Sequence, residues 1–89
     1  MKIKLELFGA SRDFSDKDHL EIEIQDKSSI NDLRNEIISY INKNFQGNEN
    51  FIKIVKSSAF CSENNEIISD NYKITKDQKI GIIPPIGGG

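Results

Sequence analysis

The sequence predicts a two-layer α+β domain, and three observations carry that prediction. Two segments near the start alternate apolar and polar residues with the period of half-buried strands. One later segment repeats apolar residues at spacings of three and four, and the rest is cut into short β-prone runs by turn residues. A helix stripe and a sheet face each need a cover, and each supplies the other's. At 89 residues the chain is one domain, large enough for a single core.

The first strand is read over residues 2–8, with Ile3, Leu5 and Leu7 on one side and Lys2, Lys4 and Glu6 on the other. Phe8 then falls on the polar side, where an aromatic is unexpected. A polar loop from Gly9 to Asp18 follows, and alternation returns with Leu20, Ile22 and Ile24 against Glu21, Glu23 and Gln25. The two segments read as an antiparallel pair joined by a loop longer than a tight hairpin. Ile30, Leu33, Ile37, Ile41 and Phe45 then line one side of an amphipathic helix. Ser29 is placed to cap it, Asp32 suits its positive end, and Gly47 with Asn48-Glu49-Asn50 should terminate it. Phe51-Ile52-Lys53-Ile54-Val55 and Ser58-Ala59-Phe60-Cys61 are both β-prone, with no clear break between them. Glu63-Asn64-Asn65-Glu66 reads as a turn, Ile67-Ile68 as a short returning strand, and 74–78 as a second turn. The last strand, Lys79-Ile80-Gly81-Ile82-Ile83, should stop at Pro84-Pro85.

Composition narrows the function. Twelve basic and fourteen acidic residues give a net charge of −2, and the signs are mixed along the chain. No basic stripe marks a nucleic-acid surface, so no nucleic-acid partner is expected. The charged alternation of Met1-Lys2-Ile3-Lys4-Leu5-Glu6 is unlike the apolar core of a signal peptide, and no run has the roughly 20 apolar residues of a membrane span. A single cysteine, Cys61, cannot form an internal disulfide and fits a reducing compartment, so a cytoplasmic, membrane-free location is expected. With one histidine and one cysteine, no His/Cys metal site is expected. His19 follows the polar run Ser15-Asp16-Lys17-Asp18 and reads as a solvated loop or strand-end residue.

The most informative stretch is Ile82-Ile83-Pro84-Pro85-Ile86-Gly87-Gly88-Gly89. Terminal glycines contribute no packing, and on their own they also suit a frayed end. Two prolines before them stop the strand and stiffen its exit, so the glycines project as a thin thread. The domain is expected over residues 1–86 and the tail over 87–89. A thread without side chains can enter a narrow channel in a partner and present its terminal carboxylate there.

This ending resembles the small, sulfur-carrying subunit of molybdopterin synthase, whose chains close on a hydrophobic pair, Pro-Pro, an aliphatic residue, a small residue and Gly-Gly. Phe8-Gly9-Ala10-Ser11-Arg12-Asp13 is similar to that family's aromatic, small, two variable, Arg, acidic pattern after the first strand. Asp77-Gln78-Lys79-Ile80 departs from the family's Gly-Asp-Glu-aliphatic turn. The resemblance implies a ubiquitin-like β-grasp fold, a mixed four- to five-stranded sheet on one main helix with the first and last strands parallel neighbours. It implies a non-catalytic carrier whose Gly89 is adenylated by an E1-like enzyme using ATP and converted to a thiocarboxylate. The carrier would then give sulfur to the dithiolene of molybdopterin within the large synthase subunit, binding no cofactor itself.

On this reading Gly87 and Gly88 occupy the partner's channel, and Phe8, Arg12, Ile82, Ile83, Pro84, Pro85 and Ile86 meet the partners. Phe8 also suits ordinary sheet-end packing, and Cys61 suits a core strand rather than a sulfur relay. The alternatives are a sulfur carrier for thiamine or tRNA thiolation, a protein modifier joined to lysines through Gly89, and an interaction domain that dispenses with the glycines.

Overall fold

The computed structural model describes residues 1–85. Within them run β1 (Lys2–Leu7), β2 (His19–Glu23), α1 (Ile30–Asn44), α2 (Glu49–Ser57), β3 (Ala59–Cys61), β4 (Ile67–Ile68) and β5 (Gln78–Ile83). The strands form one sheet in the order β2-β1-β5-β3-β4. β1 and β5 are parallel, whereas β1/β2, β3/β5 and β3/β4 are antiparallel. With the helices on one face, this is the ubiquitin-like β-grasp arrangement.

Register decides which side chains go inward. Leu5 lies opposite Ile80, and Leu7 opposite Ile82, across the parallel pair. All four are buried, and β2 adds Leu20 and Ile22 to the same face. Because side chains alternate along a strand, Glu6 and Gly81, also opposite each other, face outward. α1 covers the inner face with Ile30, Leu33, Ile37 and Ile41, each fully buried. Its start is fixed as the sequence predicts. The Ser29 hydroxyl accepts from the Asp32 amide at 3.1 Å, and an Asp32 carboxylate oxygen accepts from the Ser29 amide at 2.9 Å. The Ser29 amide, together with the Ser29 hydroxyl donating to the same carboxylate oxygen at 3.1 Å, holds the Asp32 carboxyl below its usual range.

Three expectations need correction. Phe51–Val55, read as β-prone, lies inside α2. Asn48 caps this helix, its side-chain oxygen accepting from the amides of Asn50 and Phe51 at 3.0 and 3.2 Å. Residues 51, 52 and 55 then share a helical face, with Val55 fully buried and Phe51 and Ile52 packed against the core. Phe51 stands 5.1 Å, centroid to centroid, from both Phe14 and Phe45. Long-range aromatic packing therefore overrides a strand propensity that is largely a preference for half-buried surfaces. The break lies at Ser57–Ser58, and β3 keeps only Ala59–Cys61.

The second correction concerns the polar loop after β1, much of which is a 3-10 helix over Gly9–Phe14. Gly9 enters it at φ +55°, a conformation glycine takes without a side-chain clash. Ser11 closes it, its hydroxyl donating to the Phe8 carbonyl at 2.6 Å and accepting from the Phe8 amide at 3.0 Å. Phe14 is thereby carried into the core, where its carbonyl accepts from the Tyr40 hydroxyl at 2.8 Å. The third correction concerns Ile82, taken up below.

One residue of α1 outside its apolar stripe joins several elements. Arg34 is only 11% exposed at its side chain. Its Nη1 donates to the Val55 and Ser58 carbonyls at 2.6 and 2.8 Å, and its Nη2 to the Asp70 carboxylate at 2.6 Å. The guanidinium also lies 4.9 Å from the Phe60 ring centroid. It thus caps the C-terminal end of α2 and fixes the start of β3.

Candidate docking face and tail exit

The face of the sheet away from the helices is built by the residues that alternate with the core. On β1 these are Lys2, Lys4 and Glu6, and on β5 they are Lys79, Gly81 and Ile83. Lys79 Nζ stands 3.5 Å from Glu6, and Lys2 Nζ 4.0 Å from Glu21, so this end of the face is mixed in charge. The other end is apolar. Ala59 lies opposite Ile83, and Cys61 opposite both Gly81 and Ile67. Phe8 is 43% exposed and Ile67 is 68% exposed, the two largest exposures among the big apolar side chains described. An exposed apolar group of this kind, bordered by charge, is the ordinary chemistry of a protein docking surface.

Gly81 lets that surface form. A Cβ at position 81 would stand 2.7 Å from Cys61 Sγ and 2.9 Å from Phe8 Cε2. The aromatic ring and the thiol therefore close over a strand position that has room for hydrogen only. This explains why Phe8 sits on the polar side of β1. Gly81→Ala is expected to lower stability by about 1–3 kcal/mol, the usual range for overpacking, as read by urea denaturation. Cys61→Ala in that background should recover part of the loss. Equal stability of Gly81→Ala and the wild type would show that the ring and thiol move apart freely.

The structure separates the residues assigned to the partner surface. Phe8 and Ile83 lie on the outer face, Ile83 half-buried. Ile82 points the other way and is fully buried opposite Leu7 and Phe60, so it belongs to the core rather than to an exposed patch. The parity of β5 decides this, since neighbours on a strand face opposite sides. Pro84 is buried, and a Cβ at Gly9 would meet its ring carbons at 3.9 Å. Pro85 is exposed. Arg12 is exposed on the 3-10 helix, in a hollow with Glu6, Leu7, Phe8 and Asp18. Ile86, Gly87, Gly88 and Gly89 lie outside the described residues.

Cys61 is a buried free thiol. His19 opens β2, its Nδ1 3.0 Å from Asp18, and that hydrogen bond holds the Asp18 carboxyl below its usual range. Among the described residues no cluster of His, Cys, Asp or Glu could hold a metal ion, and no helix is long and apolar enough to cross a membrane.

A family model described as the ThiS family matches residues 5–89, nearly the whole chain and all of its tail. The chain belongs to the ThiS family. Two solved structures share the fold of this ThiS-family chain. A Pyrococcus furiosus protein described as molybdopterin converting factor, subunit 1, matches with a TM-score of 0.69 and 22% identity, over 96% of this chain and 98% of its own. SAMP1 from Haloferax volcanii matches with the same TM-score of 0.69 at 11% identity, over 100% of both chains. Among curated protein sequences no match was found.

Sequence reasoning missed Ala59, Gly81 and Ile67 as parts of the outer face of this ThiS-family domain. Gly81 was the available signal, since a glycine inside a strand marks a close approach. Ala59 and Ile67 had none, because their place beside Phe8 depends on strand order.

Proposed function

We propose that this chain is the sulfur-carrying subunit of molybdopterin synthase, with the carboxylate of Gly89 as its working group. An E1-like enzyme would adenylate that carboxylate with ATP, and sulfur transfer would displace AMP and leave a thiocarboxylate. The large synthase subunit would supply the catalytic side chains and take the sulfur into the dithiolene of molybdopterin. The observation that carries this reading is where the chain leaves the sheet through Ile83-Pro84-Pro85. β5 is a central strand, and it delivers Pro84-Pro85 beside an exposed apolar face that includes Phe8 and Ile83. A partner seated on that face would also meet the residues that precede the glycine ending. The Pro-Pro ending and the likeness to the Pyrococcus converting-factor subunit support the molybdopterin pathway.

The chemistry is suited to glycine. A carbonyl without a side chain beside it is uncrowded when a nucleophile adds, and a thin tail fits a channel too narrow for branched residues. The carrier's own residues would bind and orient, and the chemistry at the reacting carbon would fall to the partner enzymes. The likeness in fold to SAMP1, at the same TM-score of 0.69, supports a second reading, a carrier for thiamine or tRNA thiolation or a modifier joined to lysines. Incubation with ATP, an activating enzyme and a sulfide source, followed by mass spectrometry, separates sulfur carriage from lysine modification, and transfer to the large synthase subunit then separates the molybdopterin carrier from the other carriers. A gain of about 16 Da at Gly89, the exchange of oxygen for sulfur, supports the carrier. Gly89–lysine adducts across many proteins support the modifier.

The docking face is tested separately. Phe8→Asp and Ile83→Asp are expected to keep the circular dichroism of the fold while weakening binding to the large subunit by at least about 30-fold, a hot-spot loss of about 2 kcal/mol. Unchanged affinity in both variants would remove this face from the interaction.

A further inference from the structure

The two edges of the sheet are unlike. β4, at one edge, has only two residues, too few to template another strand. β2, at the other, runs five residues in unbroken register with β1 and contains no proline. Hydrogen bonding fixes which of its groups are left open. The Met1 ammonium donates to the Ile24 carbonyl at 2.6 Å, and the Ile24 amide donates to the Met1 carbonyl at 2.9 Å. At the other end the Leu7 amide donates to the Asp18 carbonyl at 3.0 Å. Bonded pairs alternate along an antiparallel ladder, so Leu20 and Ile22 also turn their N–H and C=O toward β1. His19, Glu21 and Glu23 therefore turn theirs toward the open side. The side chains along this edge are mostly acidic. Between positions 16 and 26 stand Asp16, Asp18, Glu21, Glu23 and Asp26 against one lysine, Lys17. Glu21 and Glu23 are exposed, and a hollow between the end of β2 and α1 adds Asp32 and Glu36.

We propose that the β2 edge receives an extended basic segment of a partner protein as a sixth strand, with lysines or arginines at alternate positions facing Glu21 and Glu23. The backbone groups supply the pairing, and the carboxylates supply its selectivity. The fold already shows the matching chemistry on the other side of β2, where β1 sets Lys4 opposite Glu21 and Lys2 opposite Glu23. A second copy fits poorly. Two β2 strands paired about a twofold axis bring Glu21 against Glu21 or against Glu23, and like charges directly opposite each other are destabilising. The site is also separate from the docking face. Glu23 is level with Lys2, whereas β5 leaves the sheet at Ile83, beyond the level of Leu7, at the opposite end. A partner held on β2 therefore leaves Phe8 and Ile83 free, and the chain can be tethered while it presents that face to another protein. The proposal does not rest on the sulfur-carrier reading.

The test uses the full 15N-labelled chain in low salt and a short blocked peptide alternating lysine and valine. A glutamate–valine peptide of the same length is the control. With the lysine peptide at about ten times its Kd, hydrogen exchange at the Glu21 and Glu23 amides, read by NMR, is expected to slow about tenfold. The glutamate peptide should leave both amides unchanged. Glu21→Gln combined with Glu23→Gln should weaken the lysine peptide about three- to tenfold, the effect of two cross-strand charge pairs. Both side chains are exposed, so this variant keeps the core. Unchanged exchange at Glu21 and Glu23 in millimolar lysine peptide would overturn the proposal, and so would equal binding of the glutamate peptide. Protection of the same amides that rises with protein concentration and needs no peptide would make the occupant a second copy, which overturns it as well.

Discussion

Removal of Gly89 is expected to leave the melting temperature and large-subunit binding near wild type while lowering sulfur transfer by at least about 10²-fold. Among the described residues the last core position is Ile82, and the truncation removes none of these core side chains. The reacting carbon, in contrast, moves by one residue, about 3.3 Å along an extended chain. Attack on a carbonyl needs the reacting atoms within roughly 3–3.5 Å, so the truncated end stops short of the productive position. Adding a residue beyond Gly89 shifts the carboxylate by the same distance the other way and should be equally damaging. The assay is ATP-dependent thiocarboxylate formation followed by single-turnover transfer to the large subunit. Full activity in the shortened protein would sink the carrier reading and leave a domain that acts through its surface alone.

The largest expected effect on stability lies at Arg34. Its hydrogen bonds to the Val55 and Ser58 carbonyls cap α2 and fix the entry to β3, and its contact with Asp70 ties down the segment after β4. Arg34→Met keeps most of the apolar stem but removes the donor to the Ser58 carbonyl and leaves the Val55 carbonyl only the Ser58 amide at 3.3 Å. Bonds to charged groups are worth about 1.5–3 kcal/mol each, and a buried unsatisfied acceptor costs about 1–3 kcal/mol. A total loss of about 3 kcal/mol is expected, or roughly 15 °C in melting temperature for a domain of this size. Arg34→Lys should recover little, since an ammonium is a single point donor without the planar fork. A melting temperature within about 2 °C of wild type for Arg34→Met would show that water satisfies those carbonyls equally well.

Much of this fold was legible because its strongest signals are local. Ile3, Leu5 and Leu7 announce a half-buried strand, and Ile30, Leu33, Ile37 and Ile41 announce a helix. Asn65 takes the positive φ expected of its turn. The misreadings share a physical cause. Phe51, Ile52 and Val55 suit either a strand or a helical stripe until Phe14 and Phe45 are known to face them, and Phe14 lies 37 residues earlier in the chain. Arg34 looks like any exposed helix cation until the end of α2 arrives beside it. The tail motif is read from residue type and order alone, and its glycines lie outside the described residues. The docking face was legible only in part, because Phe8, Gly81, Cys61 and Ile67 meet through strand pairing.

The parallel pairing of β1 with β5 also governs the order in which the protein comes into being. These strands form the middle of the sheet, yet the Lys2 amide bonds to an Asp77 75 residues away. Closing so long a loop is slow, and nothing between the two strands completes the core without β5. A chain still being synthesised therefore holds its first strand without its central partner. Folding waits until the segment through Ile83 is free of the ribosome. The carrier is in this way proofread by its own topology, since copies that end before β5 lack the centre of the sheet and remain open to proteases.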